Sequence, residues 1–153
     1  MATLSKVEIE SALKRVGELG AAEGLSIRLV LVGGGAMVLG FGHRASTKDL
    51  DVAILQPEEV SRVRKIAETI AVERGWDASW LNDAAKGYLV GLAEGPVIFS
   101  ATGIEVIRPA TEQLLAMKLC AWRDDVDVDD ARRLLGELSG SREDVWSRIA
   151  PHL

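Results

Sequence analysis

The sequence predicts an α/β (α+β) fold, and three observations predict it. Apolar residues recur at helical spacing over several stretches of ten residues or more. Short β-branched runs interrupt them, above all Ile27–Val32 and Asp49–Leu55, bounded by glycine, proline or polar residues. From about residue 110 onward the helical pattern continues alone. At 153 residues the chain suits one domain over 1–153, with a core at about 26–108 and C-terminal helices at about 110–150. A chain of this size can bury a core without disulfides.

Ser5-Lys6-Val7-Glu8 has the form of a capping box, and Val7, Leu13, Val16 and Leu19 follow at helical spacing until Gly20 or Gly24 stops them. Ile27–Val32 is a buried strand. Gly33-Gly34-Gly35 turns into a short helix at Ala36–Leu39, closed by Gly40 and Gly42. A polar loop, His43–Lys48, leads into the strand Asp49–Leu55. Pro57 suits the first position of the next helix, whose apolar stripe is Val60, Val63, Ile66, Ala67 and Ile70, with Gly75 as its stop. Trp76–Ala93 reads as a short helical or irregular insert. Pro96–Ser100 and Gly103–Ile107 form a hairpin around Ala101-Thr102-Gly103. Three helices end the chain, at about Thr111–Trp122, Asp127–Leu138 and Ser141–Ile149, the last opened by a second capping box at Ser141-Arg142-Glu143-Asp144.

Composition narrows the function classes. Net charge is −5, whereas a dedicated nucleic-acid binder carries a basic excess for phosphate neutralisation. Arg62, Arg64 and Lys65 form either a local basic patch or a solvated helix face. Cys120 is the only cysteine, so no internal disulfide forms, and a reducing, cytoplasmic setting is expected. The N-terminus is acidic and amphipathic rather than a secretory leader, and no apolar run approaches the ~20 residues of a membrane span. His43 and His152 have no second histidine or cysteine at metal-ligand spacing, which argues against zinc. The glycine run has neither the lysine and serine of a P-loop nor the third glycine of a dinucleotide fingerprint, and no nucleophile elbow is present.

Two segments carry chemistry. A strand ending in Gly33-Gly34-Gly35 and opening a helix exposes backbone amides at the positive end of the helix dipole, which suits a phosphate; a tight turn without a ligand is the alternative. Asp49-Leu50-Asp51 opens the second strand. Alternation puts both aspartates on one face, with Cα atoms ~6.5–7 Å apart, close enough to share a divalent ion. Magnesium takes such hard oxygen ligands together with substrate phosphates. The alternative is a polar strand start at the surface.

Val32-Gly33-Gly34-Gly35-Ala36-Met37 followed by Arg44-Ala45-Ser46-Thr47-Lys48-Asp49-Leu50-Asp51-Val52 resembles the nucleotidyltransferase superfamily. More narrowly, the chain looks like small bacterial proteins related to the toxins of type IV toxin–antitoxin systems, the AbiEii-like group. Trp80-Leu81-Asn82-Asp83 resembles a motif of uncharacterised members. Leu114-Leu115-Ala116-Met117-Lys118-Leu119 with Arg123, Asp127 and Asp130 resembles their lysine–arginine–aspartate helix pair. The likeness covers residues ~26–135 in scattered motifs and implies a small mixed sheet flanked by helices with a C-terminal helical segment. It further implies that Gly33, Gly34, Gly35, Arg44, Thr47 and Lys48 hold nucleotide phosphates and that Asp49 and Asp51 hold Mg2+ or Mn2+. Lys118 would contact the nucleotide or orient a carboxylate, supported by Arg123, Asp127 and Asp130. Relatives often carry Ser or Thr in place of Gly35. Glu105 is the candidate for a third metal carboxylate; a solvent-facing strand residue is the other reading.

The apolar helix around Lys118 makes an ion pair with Asp127 or Asp130, joining two C-terminal helices, an equal expectation. The leading function is then transfer of a nucleoside monophosphate from a nucleoside triphosphate to a hydroxyl of RNA, a protein or a small molecule. A catalytically inactive nucleotide- or protein-binding module is the alternative. A toxin neutralised by an antitoxin protein is a third role for the same chemistry.

Overall fold

The computed structural model describes residues 3–83, 85, 91–120 and 125–153, and for 125–127 the backbone alone. It shows a mixed α/β architecture. The first strand, β1 (Leu4–Ser5), runs straight into helix α1 (Lys6–Ala22), and the predicted capping box closes there. Glu8 N–H donates to Ser5 Oγ at 3.3 Å, and Ser5 N–H donates to Glu8 Oε1 at 3.1 Å. Strand β2 (Ile27–Val32) is followed without a gap by α2 (Gly33–Phe41). All three glycines therefore lie inside the first turn of that helix, not ahead of it as expected. β3 (Ser46–Thr47) pairs with β1 in a small separate sheet, so the N-terminal segment steadies the loop that leads to the aspartates.

β4 (Leu50–Gln56) begins one residue after Asp49 and continues through Gln56. Helix α3 (Val60–Arg74) starts later than Pro57. The residue before a proline is biased to extended geometry, so the chain stays in strand form up to Gln56 and turns before the helix can start. A 3-10 turn (Ala78–Trp80) and a two-residue strand β5 (Leu81–Asn82) follow, where the sequence predicts only an insert. β6 (Glu94–Ala101) and β7 (Ile104–Pro109) form the predicted hairpin and run longer than expected. The C-terminal helices are α4 (Thr111–Cys120), α5 (Asp125–Gly136) and α6 (Arg142–Ile149), the last with its capping box formed between Ser141 and Asp144. The expected end of α4 at Trp122 lies outside the described residues.

Five strands form one mixed sheet in the order β5-β4-β2-β7-β6. β2 pairs antiparallel with β4 and parallel with β7; β5 pairs parallel with β4. Central β2 is apolar along almost its whole length because both faces are covered, and Leu29, Val30 and Leu31 are fully buried. Helices α1 and α2 lie on the face that carries Ile27, Leu31 and Leu50. A methyl group on Gly17 would sit 2.6 Å from Ile104 Cγ2, and one on Gly35 would sit 2.8 Å from Leu50 Cδ2. These glycines let helix backbone approach sheet side chains. By alternation and register the opposite face carries Arg28, Val30, Val32, Asp51, Ala53 and Glu105. Trp80 is a central anchor: it is fully buried and donates Nε1–H to Ala67 O at 2.8 Å.

Candidate functional site

The site forms where β2 ends, α2 begins and β4 starts. Val32 and Asp51 are register partners, so the first turn of α2 emerges beside the Asp51 carboxylate. Gly33 has a φ of +64°, a left-handed conformation that favours glycine. A methyl group there would stand 3.3 Å from Asp51 Oδ2. One residue on, a methyl on Gly34 would come within 2.6 Å of Arg44 Nη1 and 2.8 Å of Thr47 Oγ1. The missing side chains of Gly33 and Gly34 thus leave backbone directly against a carboxylate, a guanidinium and a hydroxyl. Val32, the residue before α2, makes no side-chain cap, so no side chain from that position covers the amides of the first turn. Gly35 is different. It is buried, and its missing side chain makes room for Leu31 and Leu50.

Thr47 Oγ1 donates to the Asp49 carbonyl at 3.3 Å, which pins the loop just before the aspartates. Asp49 and Asp51 are both half-buried; Lys48 between Thr47 and Asp49 is exposed. Next to this junction, one carboxylate gathers cations. Asp130 on α5 is buried, its side chain only 1 % exposed. It accepts from Arg44 Nε at 3.0 Å and from Arg44 Nη2 in a bidentate pair. Lys118 Nζ on α4 lies 2.7 Å from Oδ2, the oxygen that Arg44 Nη2 also meets, and His43 Nε2 lies 3.9 Å from Oδ1. A buried carboxylate with such partners satisfies the rule that interior charges are paired. Asp130 thus joins α4, α5 and the loop before β3, and it holds the Arg44 guanidinium, whose Nη1 faces Gly34.

Glu105 is not brought to this site. It is the register partner of Arg28, four residues down β2 from Val32, which is roughly 13 Å along the strand. Its Oε1 accepts from Arg28 Nε at 2.9 Å, while Arg28 Nη2 donates to Glu94 Oε1 at 2.6 Å. These bonds, first Glu105 and then Glu94, raise the pKa of Arg28. Glu105 therefore serves a cross-strand ion pair, and the expectation of a third metal carboxylate there is corrected. Asp127 has its side chain, and Arg123 the whole residue, outside the described residues.

Two neighbours of the site were given no definite place there by the sequence. Asn82 on β5 stands in register beside Asp51, yet a two-residue strand leaves no periodicity to detect. His43 joins the Asp130 cluster, and nothing in its local sequence signals that. Among the described residues no group of three or more His, Cys, Asp or Glu side chains is arranged to hold a metal ion. The donors present do suit a hard divalent cation that takes one or two carboxylates and completes its shell with phosphate oxygens. Gly33, having no Cβ, brings the backbone at the start of α2 close to the Asp51 carboxylate. No family model matches the chain, and no curated protein matches it significantly.

Proposed function

We propose that this protein binds a magnesium–nucleoside triphosphate and transfers the nucleoside monophosphate to an acceptor hydroxyl. One observation carries the reading: Gly33 lies against the Asp51 carboxylate while Gly34 lies against Arg44 and Thr47. A polyphosphate seated there meets backbone amides, a guanidinium and a hydroxyl on one side and the aspartates on the other. Amide donors at a helix start and an arginine fork are the groups that recognise phosphate oxygens.

Asp49 and Asp51 would hold the divalent ion, which supplies charge neutralisation at the α-phosphate and at the leaving group. The acceptor oxygen forms a bond to the α-phosphorus, the bond to the β-phosphate oxygen breaks, and pyrophosphate leaves with the electron pair. One of the two aspartates takes the proton from the acceptor hydroxyl. Arg44, fixed by Asp130, offsets negative charge building on the phosphates. The Asp130–Lys118 pair joins α4 to α5 and holds the arginine in place. In this reading Lys118 is a positioning residue.

The second reading is a nucleotide-binding module without turnover. The placement of Glu105 on Arg28, away from the aspartates, favours it. No helix among the described residues is long and apolar enough to cross a membrane. An antitoxin partner belongs with the enzymatic reading. The test is incubation with Mg2+, each α-labelled triphosphate and total RNA or cell protein, beside Asp51→Ala. Labelled product lost in the variant supports the enzyme. Nucleotide-dependent thermal stabilisation without product supports the module. If neither effect appears, the site assignment falls.

A further inference from the structure

We propose that the groove between α4, α5 and α6 is the contact through which two copies of this chain form a twofold dimer, the Trp146 of each copy entering the groove of the other. The groove has a volume of about 580 Å3. Among the described residues its lining includes Leu119 of α4, Leu135 of α5 and Trp146 and Ile149 of α6, together with Arg142 and Glu143. Each helix already supplies the core with other side chains: Leu114 and Leu115 on α4, Leu134 on α5 and Ile149 on α6 are buried. Leu119, Leu135 and Trp146 are apolar residues beyond that need. All three are exposed, Trp146 by 56 %. A single exposed apolar side chain is ordinary, whereas three that converge on one concave surface mark a contact surface. Tryptophan is also the residue type that contributes most when it fills a partner's pocket.

Charge selects a second copy as the occupant. The chain has a net charge of −5, so most ways of pairing two copies bring like charges together. Residues 131–153 are the exception, with four arginines against three acids, and the negative excess lies elsewhere. On α6 two of the four charged side chains are already engaged. Asp144 closes the capping box with Ser141, and Arg148 Nη2 donates to Ser139 O at 2.5 Å. Arg142 and Glu143 are exposed and make no ion pair or side-chain hydrogen bond among the described residues. The groove thus offers one unpaired cation beside one unpaired anion. A strongly acidic or basic partner would leave one of them facing its own sign. A twofold axis presents the same patch from both sides, so Arg142 of each copy meets Glu143 of the other and both are satisfied twice.

The test is sedimentation equilibrium of the full chain over a concentration series of about 1–300 μM. Wild type, Trp146→Ala, Arg142→Glu, Glu143→Arg and the double reversal Arg142→Glu/Glu143→Arg are compared, each first shown to melt cooperatively. Wild type is expected to show a reversible monomer–dimer equilibrium within that range. Trp146→Ala is expected to weaken it by about tenfold or more, since the truncation acts on both sides of the axis. Leu135→Ser gives the same comparison if the alanine variant fails to fold. Each single charge reversal is expected to weaken the dimer by about tenfold, and the double reversal to restore most of the loss, which a general change in net charge would not do. A chain that stays monomeric throughout overturns the proposal. A dimer that Trp146→Ala and the single reversals leave unchanged overturns it equally. A monomer whose Trp146 fluorescence responds to a synthetic amphipathic helical peptide assigns the groove to a different protein, and the second-copy reading then falls.

Discussion

Asp130→Ala removes the carboxylate on which Arg44 and Lys118 converge, and its cost can be worked from burial. The Asp130 side chain is 1 % exposed, Lys118 is 8 % and Arg44 is 21 %. Truncating one partner of a buried, hydrogen-bonded ion pair costs about 3–5 kcal/mol, because the remaining charge stays desolvated. Arg44 loses both of its bonds to the carboxylate, and Lys118 loses one partner. For a chain of this length each kcal/mol lowers Tm by roughly 2–4 °C, so the variant should melt roughly 6–20 °C below wild type. Asp130→Asn keeps the volume and removes the charge, and it should lose most of the same stability. Urea unfolding followed by circular dichroism measures both. A loss under about 1 kcal/mol for Asp130→Ala, with an unchanged denaturant slope, would show that the cluster is not the buried ion pair described here.

Four further outcomes are expected. Gly34→Ala should displace the Arg44 guanidinium and Thr47 hydroxyl, which stand 2.6 and 2.8 Å from the added methyl, and nucleotide-dependent stabilisation in a thermal melt should drop or vanish. Gly17→Ala sets a methyl 2.2 Å from the Thr102 carbonyl, so urea unfolding should show overpacking of about 1–3 kcal/mol or more. Trp80→Phe removes the buried bond to Ala67 O, a carbonyl that keeps its intrahelical donor within α3, so the loss from that bond should be about 0.5–1.5 kcal/mol, readable as a lower urea midpoint. Glu8, held by the Ser5 backbone and hydroxyl, and Asp77, held by the Ser79 hydroxyl and backbone, both have lowered pKa values. Their contribution is complete at neutral pH and is lost as pH falls below about 4, so the double variant Glu8→Gln/Asp77→Asn should show a shallower acid-side decline of Tm.

The glycine run, the two aspartates and the arginine–threonine approach were legible as chemistry because each is a local pattern. A strand that ends in glycines and a following Asp-x-Asp strand must be neighbours if they pair antiparallel, and they do pair. Glu105 was not legible in the same way. An alternating strand tells which face a residue takes, not how far along the sheet it sits. Gly35 shows the same gap, since only helix-to-sheet packing reveals that its open side meets Leu31 and Leu50.

By itself the sequence determined the mixture of helices and strands, both capping boxes, the buried character of Ile27–Val32 and the chemistry offered at the start of β4. Those features follow from periodicity and side-chain-to-backbone bonds spanning at most a few residues. The tertiary structure alone decided the strand order, the pairing of Asn82 with Asp51, the diversion of Glu105 to Arg28 and the addition of Arg44 to the Lys118–Asp130 pair that the sequence had offered. Each of these joins residues far apart in the chain. Such contacts are set by register and core packing, where one residue of slip exchanges the two faces of a strand.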